Sequence, residues 1–555
     1  MIKLLFTLFI VSSFYFAHSQ TLDSKYVYQQ IAVLSHDSMM GREAGAVEEL
    51  KSRDYLVQEF KKLGLKPYFD GSYMQWFEFK DGIDYSQGTT LTFGDKNLKA
   101  GSDFYPISRS ANGTYKGAAI YVGFGIKTAD GSTNDYAKLT DLSGKAFIIE
   151  LSAPKGFDKA GKYAAEASMD GKIDMAISLG AKAVIFVNND PDFTDPRARM
   201  SNRADRSDIP VVVVMSNDFH NLQPAQQMEL SLEINLQKIT KKAYNVAGYM
   251  DRGAAKTLIL GAHYDHLGMG GETSRYKGEP KVHNGADDNA SGVAGVMEMA
   301  RYFSSINNLN YNILFLAFSG EEKGLLGSNA FVKSNYFSKE KTLAMINFDM
   351  LGRLDSTKKV LTLIGTGTAT EWDTLIAQTP NHGLTIKKSA SGVGGSDQMS
   401  FYQQEVPVLF FFTGLHNDYH TPDDDIEKIN LQGEMDVLAF ATDLMGKLQK
   451  YEKLTFAKTK DEDQGKSRSY KNGVTLGIVP DFSSEVPGVG VGSVIQDKPA
   501  QKAGLQTGDI IIKLGDVEIK DMPDYMKALR NIKVGDKTKV VVLRNGKPKQ
   551  FKLQF

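Results

Sequence analysis

A chain of 555 residues with 42% apolar side chains is too long for one ordinary domain and rich enough for several packed cores. Its formal net charge of −1 gives no overall bias toward nucleic acid or an anionic membrane. Cysteine is absent, which excludes disulfides, a thiol nucleophile, thiolate zinc sites and iron–sulfur clusters; any metal must be held by His, Asp and Glu.

Residues 1–19 follow the pattern of a secretory signal. Lys3 supplies the positive start, residues 4–16 the apolar stretch, and Ala17-His18-Ser19 a small-x-small cleavage site. The stretch is shorter than the ~20 apolar residues a membrane span needs. No cysteine follows it, so a lipoprotein anchor is excluded and the mature chain is expected to begin near Gln20. Residues 20–104 then open with an amphipathic pattern. Leu50, Tyr55, Leu56, Phe60 and Leu63 recur at helical spacing, Gly64 suits a C-cap, and Pro67 stops continuation.

Residues 105–240 have a different texture. Short β-rich runs at 118–122, 146–151, 183–187 and 209–215 surround a short helical stretch at 175–179, and the segment reads as an inserted domain. From 241 to 451 the strands lengthen and alternate with helices. Near-continuous apolar runs at 258–260, 311–318, 343–348 and 406–412 suit strands buried on both faces of an α/β sheet, mixed but mostly parallel and flanked by helices. Between two of them, residues 291–303 place Val293, Val296, Met297 and Ala300 on one helical stripe. The polar, charged run at 452–469 reads as a linker. Residues 470–555 are again compact and β-rich, with an excess of basic residues that reads as a solvated surface.

Five polar clusters interrupt the segment 241–451: G-A-H-Y-D-H (261–266), G-A-D-D-N-A-S-G (285–292), S-G-E-E-K-G (319–324), N-F-D-M (347–350) and D-Y-H-T-P-D-D (418–424). Four of them fall at or just beyond the end of an apolar run, where open α/β sheets build their sites. Two imidazoles and three carboxylates can hold two zinc ions, provided one carboxylate is shared. Asp288 is the natural bridge. His263 and Asp349 complete one metal, and Glu322 and His420 the other. Asp265, two residues from His263, is placed to accept the second imidazole N–H. Glu321 is left free to act as the base. His266, His283 and His416 lie near the clusters but outside this set, and the run Asp423-Asp424-Asp425 reads as solvent-facing or as a helix start.

These motifs resemble those of the co-catalytic zinc aminopeptidase family, which also contains glutamate carboxypeptidase, glutaminyl cyclase and the transferrin receptor ectodomain. The strings G-A-H-Y-D-H-L-G, G-A-D-D-N-A-S-G, S-G-E-E-K-G-L-L-G-S, N-F-D-M-L-G-R and Y-H-T-P-D-D carry the likeness. The resemblance implies His263, Asp288, Glu322, Asp349 and His420 as ligands of two Zn2+ ions, Glu321 as general base, and a cis peptide at Asp288–Asn289. It also offers Tyr419 as an oxyanion donor. Gln398, within S-D-Q-M-S-F (396–401), departs from the S-D-H of many members, which leaves Asp397 a structural or substrate-shaping role. The segment 105–240 is similar to a protease-associated domain, and 470–555 to a PDZ domain whose Leu476, Gly477 and Ile478 amides would hold a peptide carboxylate. The expectation is a secreted or periplasmic aminopeptidase acting through a metal-bridging hydroxide on peptide substrates. Its rivals are a carboxypeptidase or dipeptidase, in which Arg353 would hold the substrate carboxylate, and a non-catalytic peptide-binding protein.

Overall fold

The computed structural model describes residues 21–154, 157, 163–188, 207–215, 222–271, 273–276, 278–306, 308–459, 474–481, 486–494, 498–506, 508–520, 524–525, 528–529, 532–533 and 535–555. The expected signal segment 1–19 and most of the expected linker lie outside them. Among the described residues, no helix is long and apolar enough to cross a membrane.

The apolar runs of residues 241–451 form the middle of a nine-stranded sheet. Asn312–Phe318, Thr257–His263, Thr342–Phe348 and Val408–Phe412 lie side by side and parallel. Side chains alternate between faces along each strand. Leu258 and Leu260 pack with Ile313, Phe315, Ile346 and the helices Ser24–Leu34, Gly292–Ser304 and Leu431–Leu448. Ile259 points the other way, toward Leu314, Leu316, Phe331 and Phe401. Both faces are covered, which explains why the strands are apolar throughout rather than alternating. The helix expected at 50–65 spans Glu49–Lys62, and Gly64 beyond it takes φ +72°.

Met74–Asp84 and Gln237–Met250 pair antiparallel and connect the main sheet to the insertion. The insertion is a separate eight-stranded sheet with Gly113–Tyr121, Ala146–Glu150, Ala183–Val187 and Val211–Val214 parallel at its centre. Its start departs from the expected boundary at 105. Thr90–Phe93 and Lys96–Leu98 already belong to this sheet because Leu91, Phe93 and Leu98 bury in its core. The beginning of the expected linker likewise packs on the body that carries the main sheet: Leu454 is buried, Phe456 bridges Ala369, and Thr459 bonds Tyr402. The C-terminal part is an independent sheet with its own core, containing Leu476, Val491, Ile511, Val540 and Val542.

Candidate metal centre

The four parallel strands deliver their polar sequels to one edge. His263 ends its strand, Asp349 follows Phe348, and Glu321 and Glu322 follow Phe318 within three and four residues. His420 lies in the loop beyond Phe412, with φ +57°, a conformation that non-glycine residues hold only where surrounding contacts enforce it. Asp288 comes from the turn Ala286–Ser291 that opens the helix Gly292–Ser304, and the Asp288–Asn289 peptide is cis, as the resemblance implied.

Asp288 stands between two groups. Its Oδ1 lies 3.4 Å from His263 Nε2, which is also 3.4 Å from Asp349 Oδ1. Its Oδ2 lies 3.3 Å from His420 Nε2, which is 3.2 Å from Glu322 Oε1. His266, outside the expected ligand set, joins the second group. Its Nδ1 lies 2.9 Å from Glu322 Oε1 and 3.8 Å from Asp288 Oδ2. The donors of His263, Asp288 and Asp349 lie within 4.8 Å of one another, as do those of His266, Asp288 and Glu322. His266 directly follows Asp265 and leaves no periodic signal, so the spacing H-x-x-H alone did not separate it from a bystander.

The electrostatics fit a cationic occupant. Burial alone would lower the pKa of His263, yet Asp349, Glu321 and Asp288 raise it well above the usual imidazole value. Burial opposes charge on His420 too, but the nearby carboxylates of Asp288 and Glu322 lift it to about 10. Glu322 is pulled down to about 2 by His266 and His420, against its burial and the charge of Asp288. The carboxylates thus draw positive charge onto the imidazoles, and His420 Nε2 and His266 Nε2 remain buried without a hydrogen-bond partner. Oxygen and imidazole donors in two groups sharing one carboxylate suit a pair of zinc ions. Glu321 behaves differently from its neighbour. Burial raises its pKa well above the usual range, His263 opposes, and Glu322, Asp349 and Asp397 add to the rise.

The supporting contacts came out partly as expected. Asp265 is fully buried, but its carboxylate lies 3.7 Å from His263 Nδ1, which is closer to the Asp265 carbonyl at 3.1 Å. The carboxylate instead accepts the backbone amides of Glu321 and Glu322, at 3.1 and 3.3 Å. It therefore aims the acidic pair rather than the imidazole. Asp424 corrects the solvent-facing reading of its run: it is buried and accepts the amides of Asp287 and Asp288. Asp425 caps the turn Ile426–Lys428, and Asp423 is exposed. Ser396 Oγ donates to Asp349 Oδ2 at 2.7 Å and accepts from Asn347, whose amide also reaches Gln398. Gln398 is buried, and Asp397 is buried with burial raising its pKa to about 7. Arg42 was not singled out by the sequence; buried, it donates to the carbonyls of Leu34, Tyr264, Asn284 and Gly285 and ties the N-terminal segment to the metal loops.

Tyr419 stacks on His420 with ring centroids 3.8 Å apart, and burial and the surrounding carboxylates keep its hydroxyl protonated. Arg353 is occupied: both terminal nitrogens lie 3.0 Å from Asp418 Oδ2. His416 faces Asp287 at 3.2 Å, and His283 bonds Ser274. In the C-terminal sheet, Ile478 begins the strand Ile478–Asp481, which sits at one end of that sheet and pairs with Val489–Val494. Leu476 is buried. Gly477 has φ +79°, and an added Cβ would lie 2.0 Å from that of Lys498, so only glycine fits. Its amide donates to Thr475 Oγ1 at 3.1 Å.

Residues 245–444 match Peptidase family M28, residues 472–555 a PDZ domain and residues 114–222 a PA domain. The chain is 27% identical over 420 residues to Aminopeptidase YwaD of Bacillus subtilis, covering 73% of this chain and 81% of that protein. It is 29% identical over 305 residues to the Probable lipoprotein aminopeptidase LpqL of Mycobacterium tuberculosis, covering 54% of this chain and 53% of that one. Among solved structures, an aminopeptidase from Aneurinibacillus sp. strain AM-1 aligns over 79% of this chain and 96% of its own, at 25% identity and a TM-score of 0.45.

Proposed function

Because residues 245–444 make this chain a peptidase of family M28 that also carries PA and PDZ domains, we propose that it is an exported aminopeptidase working with two zinc ions. The observation that carries the reading is Asp288, whose two oxygens face separate donor groups. Asp288 would bridge, His263 and Asp349 would hold one ion, and Glu322 and His420 the other. His266, against Glu322, would steer that carboxylate. Zinc bound there supplies Lewis acidity toward a peptide carbonyl and acidifies water.

The chain's own residues do the rest. Glu321, with its raised pKa, takes the proton from the attacking water and returns it to the departing amine. The Tyr419 hydroxyl, held protonated, donates to the oxygen that gains charge. Asp265 keeps Glu321 and Glu322 in place through their amides. A free α-amine suits an edge so rich in carboxylates. The one cation considered for a substrate carboxylate, Arg353, is already taken by Asp418, which disfavours the carboxypeptidase. The names of YwaD and LpqL point the same way.

The signal pattern at residues 1–19 supports export, as a secreted or periplasmic enzyme. The end strand Ile478–Asp481 is suited to accept the C-terminus of a peptide or protein as an added strand. The reading is tested with matched peptides bearing free and acetylated N-termini, after chelation and after zinc is restored. Cleavage of the free peptides alone, abolished by chelator and recovered with zinc, is expected. Equal cleavage of the acetylated peptides would overturn it.

A further inference from the structure

Lys323 directly follows the ligand Glu322 and is tied to two distant segments. Its Nζ lies 2.9 Å from Glu43 Oε1 and 3.0 Å from Asp81 Oδ2. Lys241 Nζ closes the ring, 3.0 Å from Asp81 Oδ2 and 3.7 Å from Glu43 Oε1. The four charges alternate in sign and come from four places: the turn after Arg42, the strand Met74–Asp84, the strand Gln237–Met250 and the catalytic loop. Their side chains are only 20–31% exposed.

The same four places meet again just beneath. Ala44, Phe79, Ala243 and Leu326 form a small buried cluster of their own, with Phe77 against it. An amide link runs alongside: Asn245 donates to Gln75 Oε1 at 2.9 Å and Gly327 O at 2.8 Å, and accepts from Ser319 N. The catalytic loop is thus fixed at Ser319, Lys323, Leu326 and Gly327 to the two strands through which the chain enters and leaves the insertion. A lone surface ion pair contributes little to stability. Four partly buried charges from four segments, set over a shared apolar cluster, determine where the loop sits.

We infer that Lys323 is a positioning residue for Glu321 and Glu322, holding their turn against Glu43 and Asp81 so that the strands bearing the insertion set the geometry of the metal edge. Asp265 holds the turn by its backbone from inside; Lys323 holds it from outside. The inference rests on the reading of Glu321 as base and Glu322 as ligand. Displacements of about 1 Å at a reacting group cost up to about a hundred-fold in rate.

The test uses the full chain and a short aminoacyl anilide. Lys323→Met is expected to lower kcat about ten-fold while KM moves less than about two-fold and zinc content is unchanged. Lys323→Arg should recover most of the loss. Asp81→Asn should give a smaller loss, and adding it to Lys323→Met should cost little more, because both act through one network. A Lys323→Met enzyme with normal kcat and only a lower Tm would overturn the inference, as would Lys323→Arg as impaired as Lys323→Met. Should Lys323→Met fail to fold, Asp81→Asn and Glu43→Gln decide: normal kcat in both overturns it. Glu321→Ala in parallel separates the two levels. Its inactivity beside a normal Lys323→Met sinks only this inference, whereas its full activity sinks the reading beneath.

Discussion

The chain builds a parallel sheet twice, and the carboxyl edges of the two differ in their charge. In the insertion, Tyr121 and Glu150 end neighbouring parallel strands, and the Tyr121 hydroxyl donates to Glu150 Oε1 at 2.9 Å. Beside them Lys172 is buried, donates to the carbonyls of Glu150 and Ser152, and has its pKa lowered by burial to about 8. Glu150 and Lys172 thus each meet a partner from their own domain. At the peptidase edge, Asp288, Glu321, Glu322 and Asp349 crowd around His263, His266 and His420, and imidazole nitrogens are left without hydrogen bonds. Similar strand architecture gives both edges a place for a site; an uncompensated set of donors fits one of them to hold metal.

The sharpest way to break this contrast is Glu321→Ala. The variant is expected to retain zinc by metal analysis and to lose roughly a thousand-fold in kcat. Loss of zinc along with activity would make Glu321 a ligand and erase its distinction from Glu322. Asp265→Asn comes next. An asparagine cannot accept both amides that Asp265 now accepts, because its –NH2 group faces one of them. A loss of about 10–100-fold in activity or zinc affinity is expected. An unchanged enzyme would show that the turn needs no such anchor.

How much of this was legible beforehand depended on the distance over which each contact acts. The strands are apolar on both faces, so the first polar residue after each run marks the exit, and His263, Glu321, Glu322 and Asp349 could be placed at one edge. Contacts between remote segments left no local pattern. Nothing near Asp424 signals that it will accept the amides of Asp287 and Asp288, and nothing near Lys323 points to Glu43 or Asp81. The start of the insertion was placed late for a related reason. Thr90–Phe93 and Lys96–Leu98 are short and partly exposed, and their membership shows only in the strand they pair with, Gln227–Ile234 for the first. The strands Val360–Ile364 and Thr385–Ser389 were missed because, near the end of the main sheet, they bury fewer residues and lack the continuous apolar signature.

A stability measurement probes the ground beneath the metal edge. Glu49 is buried, accepts from Gly45 N and Ser319 Oγ, and burial raises its pKa to about 8. A carboxyl whose folded pKa is raised contributes fully below its unfolded value near 4.5 and loses that contribution as pH climbs through its folded value. Glu49→Gln imitates the protonated form and does not titrate. Its Tm should therefore match wild type near pH 5 and exceed it by a few degrees near pH 8. A difference that is constant with pH would mean that Glu49 is compensated in place, like the charges of the insertion.

The smallest effect is expected on the quiet edge. Tyr121→Phe removes one buried hydroxyl from Glu150 without changing the ring that packs beside Ala146 and Ile148. A single hydrogen bond of this kind is worth about 1 kcal/mol, which chemical denaturation of the full chain can register. Because no group at the metal edge touches Tyr121 through the described contacts, kcat should stay within about two-fold of wild type. A ten-fold loss with zinc retained would mean that the insertion's own sheet, and not only the two strands that carry it, bears on the geometry of Glu321.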